Sequence, residues 1–116
     1  AVRKSGIPRD EFFIVTKRWL TNSGEAKAEA SFTESLKKLH TDYVDLLLVH
    51  QPFGDYYGTY RTMEKALAEG RTRAIGVSNF YADRFHDLVC HNSIVPAIDQ
   101  LETNVFSQQT SMRVLL

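Results

Sequence analysis

Short apolar runs and stripes of apolar residues at helical spacing alternate along the chain. The runs predict strands at about Phe12–Thr16, Asp45–His50 and Arg73–Val77, and Val95–Ile98 leads into a fourth strand that runs through about Glu102. The first run lacks a regular alternation of polar and apolar residues, which is typical of a strand buried on both faces. The segments between the runs carry the helical stripes, so the chain is predicted to consist of strand–helix units in series.

The first two helices are delimited by loop and terminator residues. One helix is predicted from the polar loop Thr21–Gly24 to about His40, and its buried stripe consists of Ala28, Phe32, Leu36 and Leu39. A loop is predicted at Gly54–Gly58, and the second helix follows it and ends at Gly70. The apolar side of that helix consists of Tyr60, Met63, Ala66 and Leu67.

Two more helices complete the predicted order. The third carries Phe85 and Leu88, ends near His91, and includes Cys90, which we expect to be a small core residue. The fourth begins at about Gln108. Regular alternation of strands and helices favours right-handed crossovers and a parallel sheet.

The chain length limits how much of such a fold is present. A parallel sheet needs cover on both faces, and an eight-stranded barrel typically has about 250 residues. The 116 residues accommodate only four βα units. We therefore predict an α/β fold in which residues 1–116 form a single, incomplete (β/α)8 TIM barrel domain, with the N- and C-terminal parts of the barrel outside the chain. The open strand edges of such a fragment predict self-association.

Polar side chains stand at the C-terminal ends of three predicted strands. Lys17 follows the first strand, His50 closes the second, and Ser78 and Asn79 follow the third. The C-terminal ends of parallel strands meet at one rim, which is where barrels carry their chemistry. Other interpretations stay open on position alone. A lysine at a strand end is more often solvated or ion-paired than catalytic, and Ser78-Asn79 is also an ordinary helix cap.

Composition disfavours several classes of binding partner and functional site. The 14 basic and 14 acidic side chains cancel, so the chain lacks the charge signature of a protein that binds nucleic acid or an anionic membrane. No apolar stretch approaches the roughly 20 residues that cross a bilayer. Cys90 is the only cysteine, which excludes an internal disulfide and favours the cytoplasm. His86 and His91 do not share a helical face at the i, i+4 spacing of metal ligands, so we expect no metal site.

Six short motifs occur along the chain in a fixed order. They are 5–9 (SGIPR), 15–19 (VTKRW), 36–39 (LKKL), 42–46 (DYVDL), 50–52 (HQP) and 75–80 (IGVSNF). Together they resemble the aldo-keto reductases over essentially the whole chain, most closely the bacterial branch that includes diketogluconate reductase-like proteins. The resemblance implies a (β/α)8 barrel and an NAD(P)H-dependent oxidoreductase that reduces aldehydes or ketones to alcohols. NADPH is the expected cofactor, and NADH is not excluded.

The resemblance also implies catalytic roles. The active site of the family combines an aspartate, a tyrosine, a lysine and a histidine. Lys17 matches the lysine that makes the tyrosine a better proton donor near neutral pH, and His50 matches the histidine that orients and polarises the substrate carbonyl. The aspartate and the tyrosine belong to the part of the family sequence that precedes residue 1, since none of the five tyrosines here lies in the family's tyrosine motif.

Cofactor positions follow from the same resemblance. Ser78, Asn79 and Gln100 match the side chains that hold the nicotinamide carboxamide and so fix which face of the ring offers hydride. Near the glutamine the family often reads Asn-Gln-x-Glu-x-His-Pro, whereas residues 99–105 here read DQLETNV. The match of Gln100 is kept, and a role for a histidine after it is not supported.

Substrate positions are implied by two further residues. Trp19 matches an aromatic wall of the substrate pocket. Many members of the family carry tryptophan directly after the histidine, whereas this chain has Gln51. The resemblance therefore implies a pocket with one wall more polar than in those members.

Three functional hypotheses follow. The first is a reductase that acts on a small carbonyl compound. The second is a non-catalytic nucleotide-binding or subunit-like module of the same fold, against which Lys17 and His50 argue, because such a module has no chemical need for them. The third is a different barrel enzyme, such as a phosphate-using aldolase or isomerase, which the lack of a glycine-rich phosphate loop disfavours.

Overall fold

A four-stranded parallel sheet organises the computed structural model, which describes residues 2–116 apart from the side chain of Arg3. The strands are β1 (Val15–Arg18), β2 (Val44–Val49), β3 (Thr72–Ser78) and β4 (Asp99–Gln100), and they pair in that order. The helices are α1 (Val2–Ser5), α2 (Glu25–Leu39), α3 (Tyr56–Ala68), α4 (Ala82–His91) and α5 (Thr110–Leu115). Sequential parallel strands with a helix between each pair confirm the predicted partial (β/α)8 barrel.

The hydrophobic core lies between the outer face of the sheet and helices α2, α3 and α4. Because side chains alternate along a strand, Leu47 and Val49 of β2 point toward the helices together with Ile75 and Val77 of β3. The helices contribute Phe32, Leu36, Tyr60, Met63, Ala66, Phe85 and Leu88. The strand residues between these core positions belong to the opposite, inner face, which lines the interior of a closed barrel.

Two residues predicted for the core are exposed. Leu39 is 41% exposed because it is the last residue of α2, where the chain turns through the left-handed backbone of His40 (φ 54°). Cys90 is exposed because α4 buries Phe85 and Leu88, and a position two residues after Leu88 lies about 200° further round the helix. The other predicted core positions of these helices are buried or partly buried.

β1 begins later than predicted, and Lys17 lies within the strand rather than after it. The backbone before the strand bonds partly to side chains, although the Ile14 carbonyl still accepts from the Asp45 and Leu46 N–H groups of β2, at 2.9 and 3.2 Å. The Ile14 N–H donates to the Asp45 carboxylate at 2.8 Å, and the Phe12 carbonyl accepts from Arg9 at 2.9 Å. The side-chain bonds of the Ile14 N–H and the Phe12 carbonyl take the place of part of the regular pairing that the apolar run predicted.

The start of α3 and the length of β4 also differ from the prediction. The predicted loop Gly54–Gly58 is wrong, since α3 begins at Tyr56. Asp55 causes the early start, because its carboxylate accepts from the Gly58 N–H at 2.8 Å and caps the helix. β4 follows Val95–Ile98 as predicted but ends at Gln100 instead of about Glu102, because in the described sheet it pairs only with β3.

A buried carboxylate ties β2 to β3 and to the segment before β1. Asp45 is 1% exposed; besides the Ile14 N–H, its Oδ2 accepts from Arg9 at 2.9 Å, and its Oδ1 lies 3.1 Å from Arg73 Nη1. Both guanidinium groups lie over the ring of Tyr43, at 4.1 and 4.8 Å from its centroid. Burial acts to raise the pKa of Asp45, but the Ile14 hydrogen bond and the two arginines outweigh it and lower the pKa.

Gly76 of β3 lies close to the segment that enters β4. A Cβ atom at Gly76 would lie 2.6 Å from the carbonyl oxygen of Ile98 and 2.9 Å from Leu48 Cδ2. We predict that Gly76→Ala lowers the free energy of unfolding by about 1–3 kcal/mol, because the backbone must shift to make room. Urea denaturation measures the effect. Gly70→Asn is the control, since Gly70 has φ 72° in open space and asparagine tolerates that backbone conformation. An unchanged midpoint for Gly76→Ala would contradict the close approach.

Candidate functional site

The inner face of the sheet carries most of the predicted site residues. The register pairs Lys17 with Leu48 and Ser78 with Gln100, and it brings the residue after Val49 level with Ser78. Because side chains alternate along each strand, the inner face presents Lys17, His50, Ser78 and Gln100. The last three form one row at the C-terminal edge of the sheet, and Lys17 lies one row below it.

His50 is fixed through its backbone at the β2 end of this row. Its N–H donates to the Arg18 carbonyl at 3.1 Å, and its own carbonyl accepts from the Asn79 side-chain amide at 3.1 Å. The ring centroid lies 4.8 Å from that of Trp19. Burial, followed by the nearby Lys17 ammonium, lowers the pKa of His50 below its ordinary value of 6.5. At pH 7 the imidazole is therefore neutral and can donate one hydrogen bond and accept another.

Ser78 and Asn79 form a hydrogen-bonded turn between β3 and α4. Asn79 has a left-handed backbone (φ 62°), which asparagine tolerates better than most residues. Its Nδ2 donates to the His50 carbonyl and to Ser78 Oγ, each at 3.1 Å. The Ser78 hydroxyl and the Asn79 N–H both donate to the Gln100 carbonyl, at 3.0 and 3.1 Å. The turn is thus tied to β2 and β4, and the atoms left with acceptor capacity are Asn79 Oδ1 and Ser78 Oγ.

The loops after β1 and β2 form a wall beside the histidine. They carry Trp19, which is 49% exposed, and Gln51, which is partly buried. The Gly24 N–H joins the loops, because it lies within hydrogen-bond distance of the Asp55 carbonyl (3.1 Å) and the Thr59 hydroxyl (3.0 Å). Trp19 and Gln51 therefore stand on one connected unit at the mouth of the sheet.

The low pKa of His50 makes the stability of the fold depend on pH. The unfolded chain binds a proton at His50 near pH 6.5, and the folded chain binds it only at lower pH. The contribution of His50 to stability is therefore highest above pH 6.5 and falls as the pH decreases toward the folded pKa. We predict that urea denaturation between about pH 7 and pH 5 shows a smaller loss of stability for His50→Gln than for the wild type.

The control for that measurement is His86→Gln, because His86 lies exposed on α4, away from the row of polar residues. This variant is expected to keep the pH dependence of the wild type. The same dependence in all three proteins would contradict the burial of His50.

Two supporting carboxylates were not among the predicted site residues. Asp55 caps α3 and, through its carbonyl, holds the two loops together. The sequence feature that could have identified Asp55 is an aspartate three residues before Gly58, the spacing of a helix N-cap. Asp99 Oδ1 lies 3.4 Å from the Phe80 N–H, directly after the Ser78-Asn79 turn. Its signal was an acidic residue at a strand end, which by itself does not indicate a partner in another loop.

Other parts of the described chain are weaker candidates for a functional site than this row of polar side chains. Among residues 2–116, no group of three or more His, Cys, Asp or Glu side chains is placed to hold a metal ion. No helix in the same range is long and apolar enough to cross a membrane. A cavity of about 500 Å³ lies at the opposite, N-terminal edge of the strands, beside Arg9, Leu39 and Tyr43. Arg9 is already bonded to Asp45 there, so we place the candidate site at the open C-terminal mouth.

Comparison with known sequences finds a family match. The aldo/keto reductase family model matches residues 1–115. The morphine 6-dehydrogenase of Pseudomonas putida is 40% identical over 111 residues, which cover 93% of this chain and 38% of that protein.

Solved structures show the same arrangement of strands and helices. An aldo/keto reductase from Brucella melitensis matches with a TM-score of 0.96 and 37% identity, over 98% of this chain and 46% of that one. A Bombyx mori aldo-keto reductase, solved in complex with NADP, matches with a TM-score of 0.90 and 34% identity, over 97% of this chain and 40% of that one. This chain spans less than half the length of each of these relatives. From the family match and the shared fold, the chain belongs to the aldo/keto reductase family.

Proposed function

We propose that this chain forms the central part of an NADPH-dependent reductase that converts aldehydes or ketones to alcohols. One observation carries the proposal. His50 stands in the same row as Ser78 and Gln100, and the Asn79 amide bonds to the His50 carbonyl. A group suited to a substrate carbonyl and groups suited to a carboxamide thus share one mouth. The NADP complex of the Bombyx mori relative supports NADPH over NADH.

The polar groups of the turn fit a nicotinamide carboxamide. Asn79 Oδ1 and Ser78 Oγ are hydrogen-bond acceptors, because the Asn79 amide hydrogens and the Ser78 hydroxyl hydrogen are already donated. They suit the NH2 end of a carboxamide, and the exposed Gln100 side-chain amide suits its carbonyl end. Together they would orient the nicotinamide ring at the mouth. When bound, NADPH supplies the hydride that reduces the carbonyl carbon.

His50 would act on the substrate oxygen. As a neutral imidazole it donates an N–H to the carbonyl oxygen and stabilises the negative charge that develops there. Lys17 lies one row deeper and close enough to affect the pKa of His50, so its positive charge reaches the same mouth. The family resemblance implies that Lys17 assists the proton-donor tyrosine of the family, which is not among the tyrosines of this chain.

The surroundings of the mouth support a small carbonyl substrate with a polar group. Trp19 gives one aromatic wall next to His50, and Gln51 gives an amide on the neighbouring loop.

The zero net charge gives no support for binding to nucleic acid or an anionic membrane. The free thiol of Cys90 is compatible with the reducing cytoplasm, where we place the protein.

The test uses a hybrid barrel, in which this chain replaces the matching segment of the Brucella melitensis reductase. We expect the folded hybrid to bind NADPH and to oxidise it when small aldehydes or ketones are added. A folded hybrid that binds NADPH but reduces no carbonyl would favour the non-catalytic module. A folded hybrid that binds no NADPH would refute the proposal.

We further propose that the chain alone associates with a second copy of itself. β1 and β4 are the edges of the described sheet. Val15 in β1 and Ile98 directly before β4 are 45% and 46% exposed. Two copies can pair β1 of one with β4 of the other in the parallel sense and cover both inner faces. Sedimentation analysis is expected to show a mass above 13.2 kDa that rises with concentration. A monomer at every concentration, with a sharp thermal transition, would contradict this. Val15→Lys is expected to shift the equilibrium toward the monomer.

A further inference from the structure

We propose that Asp99 is a positioning residue, which holds the Ser78-Asn79 turn in the conformation that binds the nicotinamide carboxamide. The inference rests on the proposed function, because it assigns a support to the groups that would hold the cofactor. Asp99 is distinct from those groups, since its side chain lies on the other face of the sheet from that of Gln100.

The turn is held against β4 by a series of hydrogen bonds along its length. The Ser78 hydroxyl and the Asn79 N–H share the carbonyl of Gln100. The next N–H along the chain belongs to Phe80, and it points to Asp99 Oδ1 at 3.4 Å. Asp99 is thus the side chain that extends the contact with β4 past the left-handed residue Asn79.

Phe80 is the point at which the chain passes from the mouth into the core. Its side chain is fully buried, and its ring meets that of Tyr56 edge-on with the centroids 5.4 Å apart. The backbone must therefore turn sharply between Asn79, which faces the ligand, and Phe80, which is fixed under α3. The hydrogen bond that the Phe80 N–H donates to Asp99 Oδ1 fixes the direction of that turn.

The surroundings of Asp99 indicate that its carboxylate serves as a hydrogen-bond acceptor for the Phe80 N–H. Its Oδ2 is buried and has no hydrogen-bond partner among the described residues. Burial raises the pKa of Asp99 to about 6, and the Phe80 N–H acts in the opposite direction. A half-buried carboxylate is unfavourable unless it is hydrogen-bonded, and the Phe80 N–H is its described partner. A carboxylate accepts from an N–H about twice as strongly as a neutral oxygen does.

The first experiment follows the backbone amide of Phe80 by NMR in the 116-residue chain. We expect its proton shift to titrate with a midpoint at about pH 6 in the wild type and to stay flat over that range in Asp99→Asn. Asp83→Asn removes an exposed carboxylate nearby, on the first turn of α4, and is expected to keep the titration. A flat Phe80 amide in the wild type would overturn the inference.

The second experiment measures binding to the hybrid barrel. We expect Asp99→Ala to weaken NADPH about tenfold and Asp99→Asn about threefold, because asparagine keeps the shape and a neutral acceptor. Adenosine 2′,5′-bisphosphate, which lacks the nicotinamide, is expected to bind all variants equally. Asp83→Asn is expected to bind both ligands like the wild type.

Three results of this second experiment would overturn the inference, and they can be told apart. Equal NADPH affinity of Asp99→Ala and the wild type would show that Asp99 does not position the turn. Equal losses for NADPH and the bisphosphate would indicate general damage to the fold. A wild-type hybrid that binds no NADPH would remove the proposed function itself, and the role of Asp99 with it.

Discussion

Replacing His50 with alanine in the hybrid barrel is expected to lower kcat for a carbonyl substrate by about 100- to 1000-fold, with the Kd of NADPH close to that of the wild type. The neutral imidazole interacts with the substrate oxygen, where charge develops during the reaction, and its loss therefore affects turnover most. The side chains that would bind the nicotinamide carboxamide stay in place, because His50 contributes only its backbone carbonyl to the Asn79 side chain. Alanine keeps that carbonyl.

Steady-state kinetics and a fluorescence titration with NADPH measure the two quantities separately. His86→Ala is the matched control, because it removes an exposed imidazole from α4. It is expected to leave kcat and Kd unchanged. Small and equal effects of His50→Ala on turnover and on cofactor binding would contradict the role assigned to the imidazole.

Replacing Asp45 with alanine is expected to lower the free energy of unfolding by about 3–5 kcal/mol. The carboxylate is 1% exposed, and its loss leaves Arg9 and the Ile14 N–H without their shared acceptor. Arg73 loses its 3.1 Å ion pair at the same time. A typical domain is stable by about 5–15 kcal/mol, so this single change is expected to leave much of the chain unfolded.

The pH dependence of unfolding gives a second measure of how much Asp45 contributes to stability. Because the pKa of Asp45 is lowered in the folded state, its contribution to stability is present above the ordinary pKa of 3.8 and is lost as the pH falls through the folded pKa. Urea denaturation of the wild type and Asp45→Ala measures both effects. Asp42→Ala is the control, since Asp42 is exposed two residues earlier. Equal stabilities of the two variants would contradict the assignment.

Periodicity predicted the elements whose burial follows a regular pattern along the chain. β2 and α2 have nearly the predicted bounds, because six consecutive buried residues and a stripe at helical spacing leave little choice. The boundaries that were wrong depend on single side chains. Asp55 starts α3 before Gly58, and Asp45 takes the N–H of Ile14 away from regular strand pairing. Contacts of this kind join distant segments, and a periodic pattern does not contain them.

The same distinction applies to the candidate site. The position of His50 after a buried strand indicated the C-terminal mouth, and the register of the sheet brings Ser78 and Gln100 level with it. The Asn79 bond to the His50 carbonyl joins residues 29 positions apart in sequence, so it was not predictable from local pattern. The roles of these side chains in catalysis and cofactor binding stay predictions, to be decided by the experiments above.

The link between the loops after β1 and β2 has a consequence for attempts to change which carbonyl compounds are accepted. The Gly24 N–H joins the two loops, and the His50 N–H donates to the Arg18 carbonyl, so a substitution that moves Trp19 is expected to disturb the backbone next to Gln51 as well. Mutations chosen one loop at a time are therefore expected to combine non-additively. Libraries that vary positions 19 and 51 together should recover selectivities that successive rounds of single-site screening miss.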